Sequence, residues 1–323
     1  MSKILTQKDY NLLTQIMQMP EQNILASLKT LISKRYKNVV CTKDYLFAIG
    51  QEPVCVIAHV DTVFATPPED IYYDQVKNVM WSPQGLGADD RVGIFLILKI
   101  LESGKRPSII VTTGEESGGL GASKFIQEYP NNICGAKYLI ELDRHGDKDC
   151  VFYNCGNQQF KQYIESYDFE TKFGTFTDIS IICPHWDIAG VNLSVGYKEE
   201  HSYTEHLKIG IMMNTLEKVK KMITDSKNAS TFDYQENKYL YWEKAKKPQN
   251  ICYECMNPYS DYMGIDYITK DGQVRNICDS CFSLMCDDVN WCSFCYRPYE
   301  KDPSNKNNYC CPICAKEGAA DEL

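Results

Sequence analysis

Residues 53–61 read PVCVIAHVD, and this stretch decides how the chain folds. A short apolar run rich in valine and isoleucine, bounded by polar positions, predicts a strand buried on both faces, as in the interior of a largely parallel sheet. Its carboxyl end delivers His59. Asp61, two positions on, projects to the same side of an extended chain. A neutral imidazole is a metal ligand, and a carboxylate beside it can orient the ring through its second nitrogen. Open α/β sheets place ligands at the carboxyl ends of their strands, so polar residues at this position carry chemical interest.

Working outward, the pattern predicts an amphipathic helix over 7–33, a helix over 92–103, a strand over 108–114 and a helix over 121–129. Further strands are expected at 136–143, 180–183 and 192–197, and a long helix over 203–224. This alternation is that of an α/β domain. The expected division is a catalytic domain over 1–228, a polar linker over 229–249, a cysteine-rich module over 250–316 and a tail over 317–323.

More candidate ligands follow, each just after a predicted strand or at a glycine-rich turn. Asp89 lies in GLGADDRVG (85–93), where a carboxylate can span two metals, and Asp90 competes with it for that role. Glu115 and Glu116 lie in TTGEESGGLGA (112–122), Asp143 closes IELD (140–143), and His201 opens HSYTE (201–205). Alone, an HxD is common and a Glu-Glu pair is ordinarily a solvated surface pair. Their joint order is what makes a metal site specific.

The motifs HVDTV, GLGADDRVG, TTGEESGGLGA, IELD and EEHSYTE resemble those of the co-catalytic di-zinc exopeptidases, which include peptidase T and the glutamyl- and leucyl-aminopeptidase-like enzymes. The resemblance covers roughly residues 40–225 and implies a mixed central sheet flanked by helices. It implies that His59 and Asp143 hold one Zn2+, Glu116 and His201 hold the other, and Asp89 bridges the two. It further implies that Glu115 is the general base and that Asp61 supports His59. Only 58 positions separate Asp143 from His201, so the lid that many relatives insert there is missing. The implied chemistry is hydrolysis of a peptide or amide bond in a short substrate, most simply by an aminopeptidase or other exopeptidase. A non-peptide amidohydrolase or deacetylase uses the same residues, and a scaffold with a partner-binding tail is a rival from another class. Arg91, Arg144, His185 and Tyr197 are further polar candidates for oxyanion or terminus binding, whereas His145 and His206 read as ordinary surface histidines.

The 323 residues carry a net charge of -9, which disfavours nucleic acid or an anionic membrane as partner. No apolar run approaches the ~20 residues of a membrane span, and MSKILTQKDYNLL lacks the apolar segment of a secretory signal. A cytoplasmic location is expected.

Of 16 cysteines, ten fall in the last 74 residues. They include four CxxC pairs: Cys252/Cys255, Cys278/Cys281, Cys292/Cys295 and Cys311/Cys314. Two such knuckles complete a tetrahedron around zinc. All five histidines lie before residue 207, so thiolates alone would hold any metal here. Sequential pairing gives two structural zinc sites, resembles tandem zinc ribbons, and closes each loop locally at lower entropic cost than a cross-braced arrangement. Cys286 and Cys310 are left over. Residues 250–323 hold 12 acidic against 6 basic side chains, which suits a protein partner better than a phosphate backbone.

Overall fold

The computed structural model describes residues 5–234, 250–254, 258–259, 264–278, 281–282, 285, 289–293, 295, 297–302 and 310–316. It divides into two compact units, Met1–Asn237 and Lys238–Leu323.

The first unit opens with helices α1 (Gln7–Met17) and α2 (Glu21–Ile32), then strands β1 (Val39–Cys41), β2 (Tyr45–Ala48) and β3 (Glu52–His59). Short strands β4 (Tyr72–Asp74) and β5 (Val79–Trp81) precede α3 (Ala88–Glu102), β6 (Pro107–Thr112), α4 (Leu120–Glu128) and β7 (Leu139–Arg144). After β8 (Asp149–Val151), α5 (Gln158–Glu165) and β9 (Glu170–Thr171) come α6 (Ile179–Trp186) and β10 (Gly190–Ser194). The unit ends with β11 (Tyr197–Lys198), β12 (His206–Lys208) and α7 (Ile209–Asp225).

Eight strands form one mixed sheet in the order β1-β2-β6-β3-β7-β10-β8-β9. Its centre, β6-β3-β7-β10, is parallel, while β2 and β8 flank it in antiparallel pairings. Alternation along β3 explains its unbroken apolarity. Val54, Val56 and Ala58 enter a core shared with α1, α2, α3, α5 and α7, whereas Cys55 and Ile57 enter a second core with α4 and α6. Both sheet faces are covered, so both sets must be apolar. From β3 the chain crosses to β6 on one side and then to β7 on the other. The crevice at the carboxyl end of β3 is therefore a switch point, where ligands bind in such folds.

Three expectations need correction. The segment 7–33 is two helices, because Pro20, at the N-cap of α2, lacks the N–H and the backbone freedom to continue α1. Residues 180–183 belong to helix α6, not to a strand. Four apolar residues satisfy either period, and here they pack Ile182 and Cys183 onto the sheet. The last helix starts at Ile209, because 206–208 form β12, paired with β5 in a small four-stranded sheet. Among the described residues no helix is long and apolar enough to cross a membrane.

In the second unit, β13 (Asn250–Ile251) pairs with β14 (Pro258–Tyr259). A four-stranded sheet follows from β15 (Gly264–Ile268), β16 (Val274–Cys278), β17 (Val289–Trp291) and β18 (Pro298–Glu300), in the order β16-β15-β18-β17. Its apolar clusters are small and are built largely around cysteines. Ile268 and Tyr299 pack with Cys292, Cys310, Cys311 and Cys314, while Tyr267, Ile277 and Val289 pack with Cys252.

Candidate metal centre at the carboxyl ends of the strands

β3 ends on His59, in register with Thr112 at the end of β6, so the turn carrying Glu115 and Glu116 opens beside it. Asp143 sits near the end of β7, Asp89 just before the regular part of α3, and His201 in the loop between β11 and β12. The fold brings all these residues together.

The arrangement around His59 is the most telling. The ring is buried, with 1% exposure. Nδ1 lies 3.1 Å from the Asp61 carbonyl oxygen, which can only accept, so Nδ1 carries the proton. In the neutral ring Nε2 is then a bare lone pair, and among the described residues it has no hydrogen-bond partner. It faces Asp89 Oδ1 at 3.3 Å, Asp143 Oδ1 at 3.4 Å and Glu115 Oε2 at 4.0 Å. Lone pairs on lone pairs repel unless a cation lies between them. A tetrahedral zinc with ligands at about 2.0–2.1 Å spaces neighbouring donors about 3.3–3.4 Å apart, the spacing found here.

Asp89 repeats the geometry on its other side, where Oδ2 lies 3.3 Å from His201 Nε2. His201 Nε2 also lies 3.0 Å from Glu116 Oε1. Each oxygen of one carboxylate thus faces a different imidazole. Ligand atoms of His59, Asp89 and Glu116 lie within 4.8 Å of one another, as do those of His59, Asp90 and Asp143. Asp90 is nevertheless engaged elsewhere. It is fully buried, and its oxygens accept the N–H of His59 at 3.2 Å and of Gly93 at 3.0 Å. Gly93 admits this contact because a Cβ there would stand 2.4 Å from Asp90 Oδ2. The Asp89–Asp90 peptide is cis.

Supporting contacts fix each group. Asp61 lies 3.3 Å from His59 Nδ1 through Oδ1, and it also accepts the N–H groups of Glu115 and Glu116 at 3.2 and 3.1 Å. One carboxylate therefore orients the imidazole and pins the Glu-Glu turn. Asp143 accepts from the Thr177 hydroxyl at 3.2 Å and the Tyr197 hydroxyl at 3.1 Å, while its N–H donates to Asn192. Beneath the site, Thr112 donates to the buried Asp178, and Glu141 is fully buried on β7. Sequence patterns single out neither Asn192, Thr177, Asp178 nor Glu141, because each acts through a tertiary contact without local signature.

Electrostatics follow from crowding acids in a buried crevice. Among the described residues, only imidazoles form ion pairs with Asp89, Glu115, Glu116 and Asp143. Burial, and next the Asp143 charge, pushes Glu115 well above the usual carboxylate range. Burial and Asp89 raise Glu116 to about 7. Against the opposing effect of burial, Asp143 holds His59 protonated to well above its ordinary range. Asp89 raises His201 to about 9. These shifts follow from several acids sharing a buried crevice with two imidazoles.

Of the other polar candidates, Arg91 is buried and donates to the carbonyls of Val60, Ile16 and Met19, so it anchors α1 and is closed to substrate. The Tyr197 hydroxyl is engaged by Asp143, and His185 bonds the Ile181 carbonyl on the exposed surface of α6. Arg144 donates to the Phe173 carbonyl at 3.4 Å, and its buried Nε has no partner among the described residues. His145 pairs with Glu200, and His206 bonds its neighbour Thr204.

In the second unit, the sulfurs of Cys292, Cys295, Cys311 and Cys314 lie within 4.8 Å of one another, as do those of Cys252, Cys278 and Cys281. Backbone N–H groups of Cys311 and Cys278 point at the sulfurs of Cys292 and Cys252, each at 3.3 Å. Cys310 turns instead toward the Cys311 carbonyl. Cys255 and Cys286 lie outside the described residues.

No protein-family model matches the sequence, and no curated protein matches it. Solved structures match in fold. Aminopeptidase PepT from Bacillus cereus is 16% identical, with a TM-score of 0.52 over 69% of this chain and 99% of that one. A tripeptidase from Staphylococcus aureus is 14% identical, with a TM-score of 0.55 over 70% of this chain and 100% of that one. The TET1 peptidase of Pyrococcus horikoshii, which can assemble into a tetrahedron or a large octahedral shell, is 14% identical with a TM-score of 0.51 over 67% and 99%. The mixed α/β fold is shared with these peptidases.

Proposed function

We propose that this protein is a two-zinc hydrolase that cleaves peptide bonds in short peptides, as an aminopeptidase or other exopeptidase. The observation that carries the reading is Asp89, whose two oxygens each face a different histidine at 3.3 Å. In this reading His59 and Asp143 hold one ion, Glu116 and His201 hold the second, and Asp89 serves both. Zinc bound there supplies a lowered pKa for a water nucleophile and a Lewis acid for the scissile carbonyl.

The chain's own residues do the rest. Glu115 Oε2 lies 4.0 Å from His59 Nε2, farther than the ligand spacing but in the same crevice. That suits a group that takes a proton from water and returns it to the leaving amine. Asp61 keeps Nδ1 of His59 protonated and Nε2 open to a metal. The His59 side chain is 1% exposed and that of His201 is 50% exposed, so substrate approaches over the His201 and Glu116 side.

For the second unit we propose two zinc ions held by thiolates, one by Cys292, Cys295, Cys311 and Cys314, the other by Cys252, Cys278 and Cys281 with Cys255. Their role is to stand in for a core too small to fold alone, and the module's acidic balance favours a protein partner.

The test combines metal content with turnover. Purified protein should hold two zinc ions beyond the cysteine sites, cleave aminoacyl, dipeptide or tripeptide substrates, and lose cleavage in Glu115→Gln with its zinc retained. Turnover of N-acyl substrates alone would replace the peptidase reading with an amidohydrolase. Unchanged cleavage by Glu115→Gln would remove the mechanism.

A further inference from the structure

Glu205 is 1% exposed although it carries a carboxylate. Its oxygens accept three consecutive backbone N–H groups. Gly87 and Ala88 donate to Oε2 at 2.6 and 3.2 Å, and Asp89 donates to Oε1 at 3.2 Å. Successive amides that converge on one anion form a concave binding site for it, and Gly87 adopts a left-handed φ of 66° within this turn. On its other side Glu205 lies four residues after His201, and its own N–H donates to the Ser202 carbonyl at 3.1 Å. A single buried carboxylate therefore ties the backbone that bears His201 to the backbone that bears Asp89. These are the residues whose side chains stand 3.3 Å apart across 112 positions of sequence.

We propose that Glu205 is a positioning residue that sets the spacing of Asp89 and His201, and through it the affinity of the ion between them. This rests on the two-zinc reading. The carboxylate touches neither substrate nor metal. Asp89 can swing about its own backbone only as far as that turn allows, and His201 sits in an exposed loop on a left-handed residue. Without Glu205 the two ligands belong to segments with no other described hydrogen bond between residues 201–205 and 85–89. A purely structural role predicts a loss of stability spread over the unit. A positioning role predicts a selective loss at one ion.

The experiment is zinc competition against a chromophoric chelator on the full chain, comparing wild type with Glu205→Gln and Glu205→Asp. The thiolate sites are common to all three proteins and cancel. Glu205→Gln turns an NH2 toward amides that need an acceptor, while Glu205→Asp keeps the charge on an arm one methylene shorter. Glu205→Gln is expected to bind the ion at Glu116 and His201 about 10- to 100-fold more weakly, with a smaller change at the ion held by His59 and Asp143. Amide exchange at 87–89 should accelerate, and Glu205→Asp should fall between. Wild-type affinity at both ions in either folded variant overturns the proposal, as does an equal loss at both ions that tracks the fall in Tm. Wild-type protein with no zinc beyond the cysteine sites overturns the two-zinc reading itself, and this proposal with it.

Discussion

The two units of this protein place metal-binding side chains in opposite relations to their cores. In the first, two apolar cores hold the sheet, and the ligand residues are hung from its strand ends. In the second, among the described residues, the cysteines share two small cores with Tyr267, Ile268, Ile277, Val289 and Tyr299 and are part of the core themselves. On the proposed reading, a metal in the first unit would complete a site on a scaffold that already stands, whereas a metal in the second would complete the scaffold.

Chelation should break the comparison open with the largest effect. Thiolate-held zinc contributes about 10–16 kcal/mol to the folding of small modules, so its removal should free the amides of β15 and β16 to exchange while those of β3 and β7 stay protected. Hydrogen exchange read by mass spectrometry checks this. Equal protection in both units would show that the cysteine module folds without metal.

Next comes Glu115→Gln, which should lower kcat by about 10²- to 10⁴-fold and leave zinc content unchanged. The matching lesion of the scaffold is Phe125→Ala. Phe125 is fully buried against Phe47, Tyr45 and Trp186. Its removal should cost about 3–5 kcal/mol of stability, measured by denaturant unfolding with zinc present. A substitution that moved activity and stability together at either position would blur the line between site and scaffold.

A smaller effect lies in pH. Without metal, Glu116 stands raised to about 7 and Glu115 is raised as well, both above the ordinary value of 4.5. Groups raised in the folded state contribute stability that is complete below the unfolded value and is lost as pH rises through the folded one. His201, raised to about 9, acts in the same direction. Protection of β3 in chelated protein should therefore decline as pH rises from about 4.5 to about 9, and zinc should abolish the decline. A flat profile would mean that the acids do not strain the metal-free unit. The smallest effect is expected at Cys310, whose Sγ faces the Cys311 carbonyl and which stands outside the group of four sulfurs. Cys310→Ala should keep the zinc of the second unit, whereas Cys311→Ala should lose it.

Much of this was legible in the sequence because strand ends are punctuated. The run 53–59 reads as a buried strand, and its last residue, His59, must emerge at the edge of the sheet. Residue 89 in a glycine-rich turn and residues 115–116 after a second apolar run follow the same logic. What the sequence hid is tertiary. The helix at 179–186 was invisible because a four-residue apolar run fits either period. Glu205 and the second duty of Asp61 were hidden because a side chain that accepts amides from a distant turn leaves no local pattern. The competition between Asp89 and Asp90 could not be decided by spacing. Asp90 accepts the N–H groups of His59 and Gly93, which favours Asp89 for the bridging role.

The central claim is that Asp89 stands between two metal ions. Anomalous diffraction at the zinc edge from zinc-loaded crystals tests it most directly. Two peaks are predicted, one on the His59 and Asp143 side of Asp89 and one on the Glu116 and His201 side. No peak there, or a single peak ligated by Asp90, would contradict it.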